Sequence, residues 1–222
     1  MLADTFSWGT FPDAIRFIGN NPDLLWHKSL QQLGLSGTAI GIALLIALPL
    51  GIVLGHFHRG SFVAISVSNF GRALPSLVLI AFFLVLSTNF FWDNTAALVV
   101  LAIPPILTNA YFAVEQVDPN IVEAARGMGM TRRDVLLRVE LPLAAPLIFA
   151  GIRIAAVFVI ATATIAAVAG GGGLGDIIVD QATYRLSGVV AASLCVSFLA
   201  FAAAFLLGMT RKLLTRQFVS AD

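Results

Sequence analysis

Residues 118–142 read Asp118-Pro119-Asn120-Ile121-Val122-Glu123-Ala124-Ala125-Arg126-Gly127-Met128-Gly129-Met130-Thr131-Arg132-Arg133-Asp134-Val135-Leu136-Leu137-Arg138-Val139-Glu140-Leu141-Pro142. Asp118 before Pro119 marks a helix start, with proline at the first helical position, where a missing N–H does no harm. Gly127 and Gly129 end that helix. Thr131, with Asp134 three residues on, resembles a capping box and begins a second short helix. Pro142 is expected to stop it. The stretch therefore reads as a helix–turn–helix elbow. Nine charges fall between Glu115 and Pro146, in an otherwise apolar chain.

The surroundings explain why that density stands out. Of 222 residues, 59% are hydrophobic and only 11% are charged, and mean hydropathy is +0.93. A soluble domain is about half apolar and roughly a quarter charged. The polar surface here is too small to coat a water-soluble fold, which excludes a soluble enzyme. The net charge of +1 supplies no basic field for DNA or RNA, so no nucleic-acid partner is expected. The single cysteine, Cys195, lies in an apolar run. It offers neither a disulfide framework nor a metal site.

Charges are absent from residues 29–58, 73–92, 94–114, 154–175 and 186–210. A helix rises about 1.5 Å per residue, so roughly 20 residues cross the hydrocarbon core. We read five spans, near 33–55, 73–92, 95–114, 146–169 and 186–209. Residues 1–32 form an extracytoplasmic N-terminal segment carrying Trp8 and Trp26, without the short apolar run of a cleaved signal. Residues 33–211 form the transmembrane domain, with loop 115–146 on the cytoplasmic side, and 212–222 a cytoplasmic tail. Eight cations (Arg59, Arg126, Arg132, Arg133, Arg138, Arg211, Lys212, Arg216) oppose three (Arg16, Lys28, Arg185). The positive-inside rule then puts the N-terminus outside and the C-terminus in the cytoplasm. Arg72 is expected near the cytoplasmic face, after an embedded helix over residues 61–71. Arg153 is expected to snorkel to that face or to pair with Glu115 or Asp118.

Several features interrupt the spans. Pro49, Pro104 and Pro105 each remove a backbone donor. Gly34, Gly37 and Gly41 recur at helical spacing and allow close packing, internal or between copies. Gly170-Gly171-Gly172-Gly173-Leu174-Gly175-Asp176 contains a formal GxGxxG. It follows a membrane span rather than a strand, so it reads as a turn at the outer surface and not as a dinucleotide site. Residues 174–184 then suit a short returning helix. No GxxxxGK[ST] occurs, so the chain holds no ATP in a P-loop. His56 and His58 read as solvated loop residues. No carboxylate pair lies inside a span, which argues against a proton-coupled carrier.

Glu123-Ala124-Ala125, then Gly129, then Val139-Glu140-Leu141-Pro142 resembles the EAA loop of binding-protein-dependent ABC importer permeases. That pattern is EAA, three residues, Gly, nine residues, Ile, one residue, Leu-Pro; Val139 replaces the usual Ile. Further stretches resemble the osmoprotectant branch: residues 71–76, Pro104-Pro105-Ile106-Leu107-Thr108-Asn109, Arg126 to Thr131, Gly151-Ile152-Arg153, and 161–164 through Gly175. The resemblance implies an all-α membrane protein of about five transmembrane helices with the type I importer permease fold. Glu123, Ala124, Ala125, Arg126, Gly127, Met128, Gly129, Met130, Thr131, Arg132, Leu141 and Pro142 would then form the loop that docks on a separate ATPase. The small alanines would permit close approach there, and Glu123 would make charge-assisted contacts. Pro75, Pro104, Pro105, Asn109, Gly171, Gly173 and Gly175 would be candidates for the pathway or its gate.

The same resemblance implies an ATPase in two copies, a second permease that is either this chain or a sister, and an extracytoplasmic solute-binding protein. The setting would be the lipid bilayer of the bacterial inner membrane. ATP would be bound by the ATPase, and neither a cofactor nor catalysis is expected of this chain. The solute implied is glycine betaine, choline or carnitine. Methionine or another amino acid is the alternative on the same machinery, and an ATP-independent carrier or channel the distant one.

Overall fold

The computed structural model describes residues 9–58, 60–86 and 89–219, whose regular structure is entirely helical. Trp8 and Arg59 lie outside the described residues, as do the side chains of Arg72, Arg211, Lys212 and Arg216. The elements run α1 (Thr10–Asn20), α2 (Pro22–His56), α3 (Ser61–Ala73), α4 (Ser76–Leu86), α5 (Phe90–Glu115), α6 (Pro119–Gly127) and α7 (Arg132–Val135). A π-turn over Leu136–Glu140 leads into α8 (Leu141–Thr162), followed by a 3₁₀ turn (Ile165–Ala169), α9 (Gly175–Val179) and α10 (Gln181–Val219). Among the described residues four helices are long and apolar enough to cross a membrane, and α3 with α4 makes a fifth if the bent pair is one span.

The differences from the expected spans have local causes. The helix of the first expected span, α2, begins at Pro22, not near residue 33, and its polar entry residues Lys28, Gln31 and Gln32 have partners within the protein. The second span is no single rod over 73–92. The chain breaks between α3 and α4, at Pro75, whose ring forces Leu74 into an extended conformation (φ −81°, ψ 119°). Pro104 and Pro105, by contrast, sit inside a continuous α5. The fourth helix ends at Thr162 rather than near 169. There the Thr164 hydroxyl donates to the Ala161 carbonyl at 2.6 Å and its N–H turns to the same oxygen, which tightens the chain into the 3₁₀ turn. The last helix contains one break, at Arg185 (φ 56°, ψ 178°), after which it is regular through the expected span. Pro142 does not stop a helix. The wide π-turn just before it relieves the clash its ring would make with a regular i−4 carbonyl.

Two compact units are formed. One comprises Met1–Ile40, Pro75–Val99 and Val157–Ala202, the other Gly41–Leu74, Val100–Ala156 and Ala203–Asp222. The first packs Leu25, Leu174, Ile177, Ala192 and Val196 into one cluster and Ile80, Ala97 and Ala169 into another. The second packs Ala110, Ala113, Val114, Ala144 and Ile148 together, and closes a separate small core under the elbow.

The close seam in the second unit runs between α2 and α5. A methyl group at Gly51 would stand 2.7 Å from the Leu107 carbonyl oxygen, and one at Gly55 2.6 Å from that of Tyr111. These two glycines are four apart, the spacing that lets helix backbones touch. At Gly34, Gly37 and Gly41 an added methyl would meet nothing within 4 Å, so those glycines are not an internal packing seam. We expect Gly55→Ile to destabilise the protein by about 1–3 kcal/mol through overpacking, and Gly37→Ile to leave the monomer's thermal stability in detergent unchanged.

Candidate functional site

The elbow forms as its caps require. Asp118 accepts the Asn120 N–H at 2.9 Å and starts α6. Gly129, with φ +85°, reverses the chain after it, a conformation that L side chains resist. Thr131 Oγ1 accepts the Asp134 N–H at 3.2 Å while the Asp134 carboxylate accepts the Thr131 N–H at 3.3 Å, the reciprocal capping box. Val122 and Ala125 point inward and pack with Val117, Val135, Met130 and Val139. The two alanines are thereby divided: Ala125 is 2% exposed, whereas Ala124 is fully on the outer face. Ile121 (44% exposed), Ala124 and Met128 (73%) recur at steps of three and four, a single apolar stripe turned away from the protein. Glu123, Arg126, Gly127, Thr131 and Arg132 are exposed around it.

Two buried side chains brace the elbow from behind. His56, the last residue of α2, places Nδ1 2.5 Å from Glu140 Oε2, with side chains only 7% and 1% exposed. His56 is therefore no solvated loop residue, although the neighbouring His58 is exposed. Among the described residues the second Glu140 oxygen has no hydrogen-bond partner, and His56 holds the first. A concavity of about 770 Å³ lies beside the pair, lined in part by His56, His58, Glu123, Arg126 and Arg132. Among the described residues Arg153 pairs with neither Glu115 nor Asp118. It is exposed, and its guanidinium lies toward Gly208.

The candidate pathway residues divide between two places. Pro104 packs against Gly71, and Asn109 against Gly151, while the Asn109 amide donates to its own helix at Pro105 O, 2.7 Å away. These positions fasten α5 to α3 and α8. Pro75 is the exposed corner of the bent pair. The glycine-rich turn gathers a different set. Gly170, Gly172 and Gly173 have positive φ, and the Gly173 N–H donates to Gln31 Oε1 at 3.2 Å. Buried Gln32 donates to the Ile160 carbonyl at 2.8 Å, one of the orphans left where α8 stops. Lys28 Nζ meets Asp176 Oδ2 at 2.5 Å. Gly171 and Gly172 share a cleft of about 400 Å³ with Lys28, Gln31, Phe91 and Asp176, and Gly175 is buried tightly against Thr164 and Ala167.

Comparison with known proteins places this geometry. Residues 47–216 match the family of binding-protein-dependent transport system inner membrane components. The chain belongs to that family. The choline transport system permease protein OpuBB of Bacillus subtilis is 35% identical over 90% of this chain and 93% of its own. The glycine betaine/carnitine/choline permease protein OpuCB of the same organism is 34% identical over 90% and 92%. The carnitine transport permease protein OpuCD of Listeria monocytogenes is 31% identical over 92% and 93%. Among solved structures, the inward-facing MetNI methionine ABC transporter superposes with a TM-score of 0.77 at 20% identity, over 88% of this chain and 99% of that one. An amino-acid ABC transporter superposes at 0.69, over 96% and 99%.

This permease is thus a multi-pass inner-membrane component with the type I importer fold, a transport subunit of an importer and not itself an enzyme. Sequence reasoning missed Glu140 and His56, Gln32, and the Lys28–Asp176 pair. Glu140 stood inside the motif at the unspecified position between Val139 and Leu141, and Lys28, Gln31 and Gln32 stood together at the head of an apolar run. Those were the available signals.

Removing one partner of a buried hydrogen bond leaves the other unsatisfied, at a cost of about 1–3 kcal/mol, whereas replacing both with apolar groups can be nearly neutral. We expect His56→Leu and Glu140→Leu singly to lower the permease's melting temperature sharply. The double variant should recover most of the loss.

Proposed function

We propose that this permease moves a small quaternary-amine osmoprotectant (glycine betaine, choline or carnitine) into the cell, delivered by a solute-binding protein and driven by a separate ATPase. Relatives that match nine-tenths of both chains are choline, glycine betaine and carnitine permeases, which supports the solute class. Two ATPase copies and a second permease, this chain or a sister, complete the assembly in this proposal. ATP stays on the ATPase, and this chain takes no cofactor. The cation asymmetry of the loops supports an outer N-terminus and a cytoplasmic C-terminus.

The observation that carries the mechanism is the outward stripe of Ile121, Ala124 and Met128 on α6. Its apolar face suits a groove on the ATPase, and small Ala124 lets the surfaces approach. Glu123, Arg126 and Arg132 flank the stripe with charge-assisted contacts. Ala125 and Val122 weld α6 onto the residues that begin the next helix, and that helix continues from Arg132 to Thr162. A displacement of α6 is therefore delivered along one unbroken helix. The His56–Glu140 pair hands part of it to α2.

Labelled glycine betaine uptake tests this reading in cells lacking their own betaine importers, supplied with this permease, its ATPase and its binding protein. Uptake should occur, should compete with choline and carnitine, and should stop when the ATPase is inactivated. Uptake of methionine alone would overturn the solute, and uptake that survives ATPase loss would overturn the mechanism. Gly129→Asp puts a side chain at φ +85°, a strain of about 1–2 kcal/mol. It should abolish co-purification with the ATPase while membrane insertion persists.

A further inference from the structure

The cleft beside the glycine-rich turn belongs to no part of the elbow. Its central feature is an ion pair left open: the Lys28 and Asp176 side chains are 21% and 32% exposed. Around them stand the Gln31 amide, the Phe91 ring, and the turn at Gly171 and Gly172, which has no side chains to fill the space. Two full charges facing a cleft are not tolerated against lipid hydrocarbon, so the cleft opens on water or on another protein surface. Its volume of about 400 Å³ lies in the range of small-ligand sites.

Lys28 lies 148 residues from Asp176 in the chain. Lys28 comes from the head of α2, and Asp176 from α9 behind the turn. Gln31 is bound to the turn as well, through the Gly173 N–H. The cleft is therefore assembled by the turn itself, and a closed ion pair spans it.

We propose that this cleft is a solute-contact site on the translocation pathway, selective for small zwitterions. The solute carboxylate replaces Asp176 at Lys28, and its cationic end replaces Lys28 at Asp176, with the Phe91 ring against the cation. One ion pair is exchanged for two, and no charge is left unmatched. A solute with a single positive charge satisfies Asp176 but strands Lys28, which disfavours it. Without solute Lys28 and Asp176 neutralise each other across the cleft. The proposal rests on the transport reading above and adds to it a preference for betaine and carnitine over choline at this position.

The test uses the assembled importer in lipid nanodiscs. Cys195→Ala removes the native thiol, and Gln31→Cys reports on the cleft; Gln31 is exposed and accepts a small methanethiosulfonate reagent. Glycine betaine in excess should slow labelling about tenfold, and choline by less than about twofold. In the Lys28→Gln background the order should invert, with betaine protection lost and choline protection gained. Labelling that betaine leaves unchanged overturns the proposal. So does labelling slowed equally by both solutes in both backgrounds, as a purely structural pair would give. Uptake by the same wild-type importer separates the two readings. An importer that carries methionine but neither amine overturns the quaternary-amine assignment alone. Methionine, itself a zwitterion, must then protect Gln31→Cys, and Lys28→Gln must remove that protection.

Discussion

A hydrocarbon environment offers no partner to a polar group, and everything in this permease is arranged around that constraint. Its long helices satisfy their own backbones. Where a helix must stop or bend inside the apolar chain, a specific side chain takes over. Gln32 reaches the Ile160 carbonyl where α8 ends. The Thr164 hydroxyl turns back on Ala161 as the chain leaves the helix. A π-turn admits Pro142 without breaking the helix that the elbow drives. Two long-range pairs join ionisable side chains among the described residues, His56 with Glu140 and Lys28 with Asp176.

Function follows from where those exceptions fall. The elbow is charged, and its two faces differ. Val122 and Ala125 pack inward, and Ile121, Ala124 and Met128 stay exposed. In the proposed mechanism rigidity matters as much as exposure, since a soft elbow would absorb a partner's motion. The Gly51–Gly55 contact of α2 with α5 and the His56–Glu140 pair one residue further on hold the end of α2 in place. Small residues and a buried side-chain pair thus fasten neighbouring positions of one helix.

Much of this was legible in the sequence because it is local. The caps at Asp118 and Thr131, the turn at Gly129, the helix ahead of Pro75 and the regular run after Arg185 all depend on neighbours within a few residues. What could not be read depends on distant partners. His56 and Glu140 are 84 residues apart, and neither neighbourhood shows that the other is near. Gly34, Gly37 and Gly41 had the spacing of a seam and lack internal contacts, while Gly51 and Gly55 make the contact. Spacing shows that a helix face is small, but only tertiary structure decides which small face is used. Pro142 was misjudged for a related reason: a helix can absorb proline by widening its preceding turn, an adjustment invisible to a rule about single residues.

The central claim is that α6 docks by one face on an ATP-hydrolysing partner and passes its movement on. Cysteine cross-linking to the ATPase in the assembled importer measures it directly, one position at a time. Cysteines at Ala124 and Met128 should cross-link efficiently, and one at Ala125 should not, although it adjoins the first. Equal cross-linking from 124 and 125, or none from either 124 or 128, would contradict the account.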